Sequence, residues 1–492
     1  MIPRFPRSWL AGLVALPALL THSGRARADE PVAASEPRLM SETAEITSVV
    51  DAFDRDDAFD LHLTAGFQQI WKRADIHRET SLNQPGLATG GFVPATENVG
   101  TFSQSQSILN LGLDIGLFRD FAITARLPLV LSDARQIDDL GGASKNPQRL
   151  QDPSGQQLFT VPFKSPTRSG VDYFALGVNW AILNQQRDSS KPTWVVGVEG
   201  RFAVGAPMHA CNAAGVKTGA ADGSSRTCPD PVNPGGADRD PGISRALHAI
   251  NGKMVVSRRV GYVEPYTGFD VLAEFSANNT SDFGATNGLT GSLVNHPPLI
   301  GSYTLGLEVI PWERREQFQR FVADFRATGI YNSPGREYSE LFDALGSSQA
   351  GSLRNPNPGG YTASAADATK SVTDPSSPPV YFRGITDQQA FGAFAAQASV
   401  TWQAGEYVKF QLGASYRFNQ SHIVTAADAC NPDVSKQLAT SGPCRVGDPT
   451  FGQSVTGVPN PNHRDALDTP GHRFSVDNTS ITSLWVQGSV MF

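Results

Sequence analysis

Apolar and polar residues alternate through the last nine residues of the chain, from Leu484 to Phe492. Every second residue, counted back from Phe492, is apolar or glycine, whereas Gln487 and Ser489 lie between them. Successive side chains of a β-strand point to opposite faces of the sheet, so this pattern predicts a strand with one apolar face. One alternating strand is compatible with many all-β proteins, and the pattern gains weight because it recurs along the chain.

Eleven further segments alternate in the same way and are separated by stretches rich in turn-forming residues. We therefore predict twelve strands, with fourteen possible if a long loop contains another hairpin. The sixth strand alternates least regularly. The predicted strands cover residues 59–79, 102–117, 121–131, 174–182, 196–204, 245–257, 263–275, 303–309, 321–327, 394–402, 408–418 and 484–492.

The predicted connections alternate between short and long. The short ones lie near residues 118–120, 187–191, 258–260, 312–318 and 404–406. The long ones lie near residues 80–101, 136–169, 206–244, 276–297, 334–387 and 424–478. Long structureless loops are uncommon inside a compact soluble domain. A soluble all-β protein also has no reason to make every second loop long.

The first 28 residues predict a signal peptide. Arg4 and Arg7 form a basic n-region, and residues 9–20 form an apolar stretch that is too short for a transmembrane helix. Ala26-Arg27-Ala28 fits a small-x-small cleavage site, so we expect the mature chain to begin at Asp29. No apolar stretch of membrane-spanning length follows it.

The export signal, the alternating strands and the carboxy-terminal aromatic residue together resemble the outer-membrane β-barrel proteins of Gram-negative bacteria. Among these the chain looks most like the twelve-stranded transporter-like and porin-like barrels. The resemblance implies an all-β fold, namely a membrane-spanning antiparallel up-and-down barrel with short periplasmic turns and long extracellular loops. The barrel would cover residues 58–492. Outer-membrane lipid and the barrel-assembly machinery would be its partners, with Phe492 as the outer-membrane sorting signal.

Composition and aromatic positions agree with this interpretation. The formal net charge of −7 argues against nucleic acid as a partner, and 47 Gly with 34 Pro suits a chain with long loops. Aromatic rings favour the membrane interface, where one edge is wet and the body stays apolar. Seven aromatic residues fall near the predicted periplasmic ends: Phe118, Phe121, Trp194, Trp312, Trp402, Tyr407 and Phe492.

The strand face opposite the apolar one carries charges of both signs. We interpret this face as the wall of a narrow water-filled pore for passive passage of a small solute, with weak ion selectivity and no cofactor. The alternative is that these charges pair across strands and partly close the lumen. The candidate pore-lining residues are Asp114, Arg126, Glu199, Arg201, Lys253, Glu264, Glu308, Arg320, Asp324, Arg326, Lys409 and Arg417.

Residues 29–57 precede the first strand and predict a periplasmic or plug segment with a short helix. Ser41 fits an N-cap, and Ile46, Val49, Val50 and Phe53 share one helical face. A solvated leader to the barrel is the alternative interpretation. The acidic residues that follow lack the spacing, the central Gly and the closing Glu of a calcium loop.

The four cysteines lie in two long loops. Proximity in sequence favours the pairs Cys211–Cys228 and Cys430–Cys444, and an exported chain meets an oxidising compartment in which disulfides persist. No C-x-x-C is present, so a metal site is not supported.

Two other function classes remain open. The long, disulfide-tied loops are compatible with a surface adhesin or a structural outer-membrane protein. Some twelve-stranded barrels are phospholipases, and His248 falls on the apolar face of the sixth strand, but no Ser partner is evident. The sequence contains no common hydrolase or nucleotide-binding motif, so we do not expect an enzyme. We expect a monomer.

Overall fold

The computed structural model describes most of the barrel and part of its loops. The described residues are 44–52, 60–83, 92–141, 147–217, 225–230, 236–277, 283, 296–354, 361–363, 371–373, 381–428, 430–432, 444–446, 455–459 and 462–492. The predicted signal peptide lies outside them. Within these residues, no helix is long and apolar enough to cross a membrane.

Twelve antiparallel strands of the described chain form one closed barrel. Each strand pairs with its neighbour in sequence, and the last pairs with the first, from His62 opposite Met491 to Arg78 opposite Phe474. The strands are β1 Leu61–Asn83, β2 Phe92–Phe118, β3 Phe121–Asp138, β4 Tyr173–Leu183, β5 Thr193–Ala203, β6 Leu247–Ser257, β7 Val263–Ser276, β8 Ile300–Arg314, β9 Gln319–Asn332, β10 Phe391–Gly405, β11 Val408–Asn419 and β12 Phe474–Met491. The predicted fold class is confirmed, including the irregular sixth strand.

The outer face of the barrel is apolar, as the alternation predicted. Leu484, Val486 and Val490 of β12 are exposed, whereas Ser483 and Ser489 are buried on the inner face. Exposed Leu, Val, Ile and Phe side chains continue around the other strands. Such a surface would be unfavourable in water and is stabilised by lipid, because a closed barrel satisfies its backbone hydrogen bonds internally.

Exposed aromatic side chains lie at both ends of this apolar surface. Phe118, Trp312, Trp402, Tyr407 and Phe492 are exposed at the end that carries the short turns, as predicted. The end with the long loops carries a second set, which includes Trp71, Phe275, Tyr331, Phe394 and Phe418. Paired aromatic girdles are expected where a barrel meets the two membrane interfaces.

The first predicted long loop is wrong in its extent. Residues 80–101 are mostly strand, because β1 continues to Asn83 and β2 begins at Phe92. The two strands form one long paired ribbon. Its upper part has polar residues on both faces, such as Ser103 and Gln104, and this hides the alternation that marks the membrane-spanning part. For the same reason β12 begins at Phe474, earlier than predicted.

The described parts of the long loops fold back onto the end of the barrel from which they extend, and we call this structure the cap. Its described part contains three short α-helices, α1 Phe342–Gly346, α2 Gly351–Arg354 and α3 Asp465–Asp468, and a 3₁₀ turn at Pro147–Leu150. Its core packs loop residues against inward side chains of β1, β2, β3 and β12. The core contains, among others, Ile76, Phe102, Ile137, Leu150, Leu158, Phe159, Leu341, Leu345, Leu353, Phe474 and Val476.

Residues 44–52 lie inside the barrel at the opposite end, and we call them the N-terminal segment. Only Glu45–Thr47 form a helical turn, of the 3₁₀ type. Ala52 pairs with Arg119 in the turn between β2 and β3. The carbonyl of Asp51 lies so close to Gly116 that any side chain there would collide with it. The segment therefore packs tightly against the inner face of β2.

Candidate functional site: the lumen of the barrel

One side of the lumen wall carries charges of both signs, and several of these charges form ion pairs. Arg126 on β3 binds Asp114 on β2 at 2.6 Å, and Arg201 binds Glu199 two residues earlier on β5 at 2.9 Å. All four side chains face inward because they share one parity in their strands. Lys253 of β6 lies opposite Asp270 of β7 on the same face. The wall is thus highly polar but nearly neutral.

Three carboxylates lie side by side on β7, β8 and β9. Glu264 is opposite Glu308, and Glu308 is opposite Asp324, and each is at most 3% exposed. Like charges at directly opposed positions destabilise a sheet unless other groups compensate. The compensating hydrogen bonds come from Ser257 to Glu264 at 2.7 Å and from Tyr266 to Asp324 at 2.6 Å.

The N-terminal segment supplies the partner of the central carboxylate. The backbone N–H of Glu45 donates to Oε1 of Glu308 at 2.8 Å. The Glu45 side chain in turn accepts from Nζ of Lys409 on β11 at 3.0 Å and 3.2 Å. Thr47 contacts Ser257 through their hydroxyls at 2.9 Å. The segment is therefore held by polar contacts to three separate strands.

Two cavities lie in the lumen, and Glu45 and Ile46 line both of them. The larger, of about 570 Å³, adjoins the charged wall, and we call it the charged cavity. The smaller, of about 420 Å³, lies along β1 and β9–β12, and we call it the amide cavity. Asn110 and Gln487 of the wall also line both, so the two cavities adjoin at the N-terminal segment.

The predicted pore-lining residues lie in different places in the barrel: some line a cavity and others are buried. Six line the charged cavity, namely Asp114, Arg126, Glu199, Arg201, Lys253 and Lys409, and Arg326 lines the amide cavity. Four are buried: Glu264, Glu308, Arg320 and Asp324. Arg417 faces inward on β11 and donates to Asn419 at 2.8 Å.

The wall of the amide cavity was missed by sequence reasoning, which followed charges alone. The inward positions here carry amides and hydroxyls: Gln68, Asn110, Gln397, Gln411, Gln487, Ser415 and Ser483. The signal was present, because these residues share the inward parity of their strands. Trp485 also faces inward and lines the cavity.

Three acids of the loop between β9 and β10 hold the cap to the barrel mouth. They are spaced three residues apart and bind bases from different parts of the wall. The ion pairs are Glu337 with Arg245, Glu340 with Lys72, and Asp343 with Arg168. Burial alone would raise the pKa of Glu340, but its pairing with Lys72 lowers that pKa overall.

A single arginine of β1 joins two other loops of the cap. The buried Arg78 guanidinium donates to the backbone carbonyls of Arg149 at 2.6 Å and Gln151 at 2.7 Å, in the loop after β3. It also donates to those of Ala466 at 2.9 Å and His472 at 3.1 Å, before β12. Arg78 therefore joins the two loops through hydrogen bonds to four backbone carbonyls.

The predicted Cys211–Cys228 disulfide is present. The N–H of Cys211 donates to Oδ1 of Asp343 at 2.9 Å, so the disulfide loop is tied directly to α1. The second predicted pair, Cys430–Cys444, lies outside the residues whose side chains are described.

His209, beside the disulfide, is poorly suited to carry a charge. Burial, with the nearby Arg239 and Arg383 charges, lowers the pKa of His209 to about 4. Its Nδ1 lies 3.1 Å from Nη1 of Arg239. Because a guanidinium only donates, Nδ1 accepts this hydrogen bond and His209 is neutral.

His248 lies in an aromatic row on the outer face of the barrel. Its ring packs edge-on between Phe202 at 5.9 Å and Phe275 at 5.8 Å, and Phe174 stacks on Phe202 at 5.2 Å. Its Nδ1 accepts from the N–H of Ala203 at 3.2 Å. These contacts give His248 a packing role at the membrane surface.

Comparison with solved structures gives only distant similarities. A FadL homologue from Pseudomonas aeruginosa is 8% identical, with 88% of this chain and 90% of that one covered and a TM-score of 0.29. An outer membrane channel from Pseudomonas putida F1 is 8% identical, with 87% and 95% covered and a TM-score of 0.30. The P. putida toluene transporter TodX is 9% identical, with 88% and 90% covered and a TM-score of 0.26. No family model and no curated protein matches the sequence.

These similarities are too distant to assign a role to any residue. The described strands form a closed up-and-down barrel with an apolar outer face and two aromatic girdles. Short turns lie at one end and long loops at the other. These features are characteristic of barrels of the bacterial outer membrane. The chain is an outer-membrane β-barrel protein.

Proposed function

We propose that this protein is a passive outer-membrane channel for a small solute, closed at both ends in the conformation described. The observation that carries the proposal is the pair of polar cavities in the lumen, both of which are lined by Glu45 and Ile46 of the N-terminal segment. Twelve strands leave an interior wider than the filled interior of an eight-stranded barrel. Polar cavities inside a membrane barrel hold water and offer a path to a hydrophilic solute.

The closures are attached by contacts that can be exchanged for water. The N-terminal segment is held by the Glu45–Lys409 ion pair and a few hydrogen bonds. The cap is held by ion pairs such as Lys72–Glu340. Passage then requires displacement of both closures, and the pairing of charges in the wall favours weak ion selectivity.

Planar-bilayer recording of the full mature protein tests the proposal. Glu45→Lys places two cations against each other and should raise the open probability above that of the native channel. The exchanged pair, Glu45→Lys with Lys409→Glu, restores attraction and should return the channel towards its closed state. Glu340→Gln should add to the effect of Glu45→Lys, because it loosens the second closure.

Each variant must be shown to be folded, by β-sheet circular dichroism and by its heat-dependent migration in detergent gels. Folded protein that gives no current in any variant, including the combined Glu45→Lys and Glu340→Gln chain, would overturn the channel proposal.

The folded cap favours one alternative, a surface adhesin or structural protein that acts through its loops. The cap has its own apolar core and a disulfide, so it presents a defined surface. This alternative would be favoured if the folded protein carried no ion current and antibodies against the cap blocked the attachment of cells to a surface.

A further inference from the structure

The amide cavity has the chemistry of a binding site for an uncharged solute. Its two charged lining residues are both neutralised by partners, Glu45 by Lys409 and Arg326 by Asp324. The remaining polar lining consists of amides and hydroxyls. Ions therefore gain little from entering this cavity, whereas a solute with many hydrogen-bonding groups gains much.

The amides in its wall retain hydrogen-bonding capacity. Gln68 donates to Ser483 at 3.3 Å and accepts from Asn110 at 3.3 Å. A carboxamide has two N–H donors and two acceptor lone pairs, so Gln68 keeps one donor and one acceptor beyond these contacts. Hydroxyl groups both donate and accept, and they match such a wall better than a carboxylate or an ammonium group does.

Trp485 adds an aromatic surface to this polar wall. Its benzene ring lies against the backbone of β11 at Gly413, so closely that a Cβ at that position would collide with it. The absence of a side chain at Gly413 therefore lets the indole approach the wall, where it lines the cavity. The negative face of an aromatic ring attracts weakly positive C–H groups.

We propose that the amide cavity binds a neutral polyhydroxylated solute with a C–H-rich ring face, such as a monosaccharide or cyclic polyol, with Trp485 contacting that face. The volume of about 420 Å³ lies within the usual range of small-molecule sites. A purely apolar ring would leave the surrounding amides unpaired and lose free energy. The inference rests on the proposed channel function and names the solute class.

The test uses glucose as the probe, with gluconate and glucosamine as charged molecules of similar size. In bilayers containing the Glu340→Gln variant, whose substitution lies in the cap and leaves the lining of the amide cavity unchanged, glucose should interrupt the ion current at lower concentration than either charged probe. Trp485→Ala should raise the glucose concentration that halves the current by about tenfold, which is the scale of one lost aromatic contact.

Gly413→Ala provides a second, independent variant. It keeps the indole but pushes it away from the wall, and it should weaken block by glucose to a similar extent. Gly301→Ala is the matched control, because a Cβ at Gly301 meets open space, and it should leave block unchanged.

The outcomes separate the two proposals. Ion current without selective glucose block, or glucose block that neither Trp485→Ala nor Gly413→Ala weakens, overturns the solute class and leaves the channel intact. Absence of ion current in every folded variant overturns the channel itself. Solute binding can then be judged from tryptophan fluorescence in detergent, where glucose should change the signal of the native protein but not that of Trp485→Phe.

Discussion

Arg168 and Asp343 form a bidentate ion pair at the outer mouth of the barrel, with Nη1 donating to Oδ2 at 2.9 Å and Nη2 donating to Oδ1 at 2.7 Å. Both side chains are almost fully buried. The same Asp343 accepts from Cys211, and the same Arg168 donates to the carbonyl of His209 at 2.9 Å. The pair therefore joins the wall, the disulfide loop and α1 at one point.

Breaking this pair should detach the cap from the wall. Arg168→Met leaves Asp343 buried without its main partner, and loss of one member of a buried pair costs about 3–5 kcal/mol. We expect faster hydrogen exchange in α1 and in residues 206–217, with the barrel strands unaffected. Lys191→Met, which breaks an exposed ion pair in a periplasmic turn, is the control. Unchanged exchange in α1 would contradict the role assigned to Arg168.

Arg78→Lys should loosen the cap although the charge is kept. A lysine cannot donate to four carbonyls arranged around a planar guanidinium, and hydrogen bonds from charged groups contribute about 1.5–3 kcal/mol each. We expect protease cleavage within residues 147–163 and 462–472 at concentrations that leave the native protein intact. Arg73→Lys, at an exposed position of the same strand, should cleave like the native protein.

The disulfide loop should loosen on acidification because of His209. Its folded pKa of about 4 lies below the ordinary value of 6.5, so the neutral ring stabilises the loop fully above pH 6.5. This contribution is lost progressively as the pH falls from about 6.5 to about 4. Hydrogen exchange of residues 206–217, corrected for the intrinsic effect of pH, should increase over this range. His209→Asn can still accept from Arg239 and should remove most of the increase; a pH dependence equal to that of the native protein would refute the explanation.

Gly116→Ala should displace the N-terminal segment from the lumen. The added Cβ would collide with the carbonyl of Asp51 and cannot be relieved by rotation of a side chain. A cysteine introduced at Val50, which is buried, should then react with a polar maleimide at least about tenfold faster. Gly252→Ala places its Cβ in open space on the lipid face and should leave the reaction slow. Equal rates in both variants would argue that the segment is already mobile.

Much of the barrel could be predicted from the sequence because lipid and lumen impose opposite polarity on alternating residues. This rule located β3 and β11 and gave the correct inward face for Arg126 and Lys409. It failed above the membrane, where β1 and β2 have water or cap residues on both sides. The alternation disappears there although the hydrogen-bonded ribbon continues to Asn83 and Phe92.

The candidate site was less predictable, because it depends on contacts between distant parts of the chain. Nothing local to Glu45 indicates that its backbone would meet Glu308, 263 residues away. The amide wall was overlooked for a different reason. Gln68 and Gln487 are uncharged, and a search for charged residues does not select them. They form one polar wall only because closure of the sheet places β12 beside β1.

The apolar core of the cap contains Ile76 from the first barrel strand and Phe474 from the last. These two strands become neighbours only when the sheet closes, so the cap cannot complete its core in an open, half-inserted chain. The folding of the cap loops therefore depends on completion of the barrel. During biogenesis the loops should therefore change from protease-sensitive to protease-resistant in the same step that pairs β1 with β12.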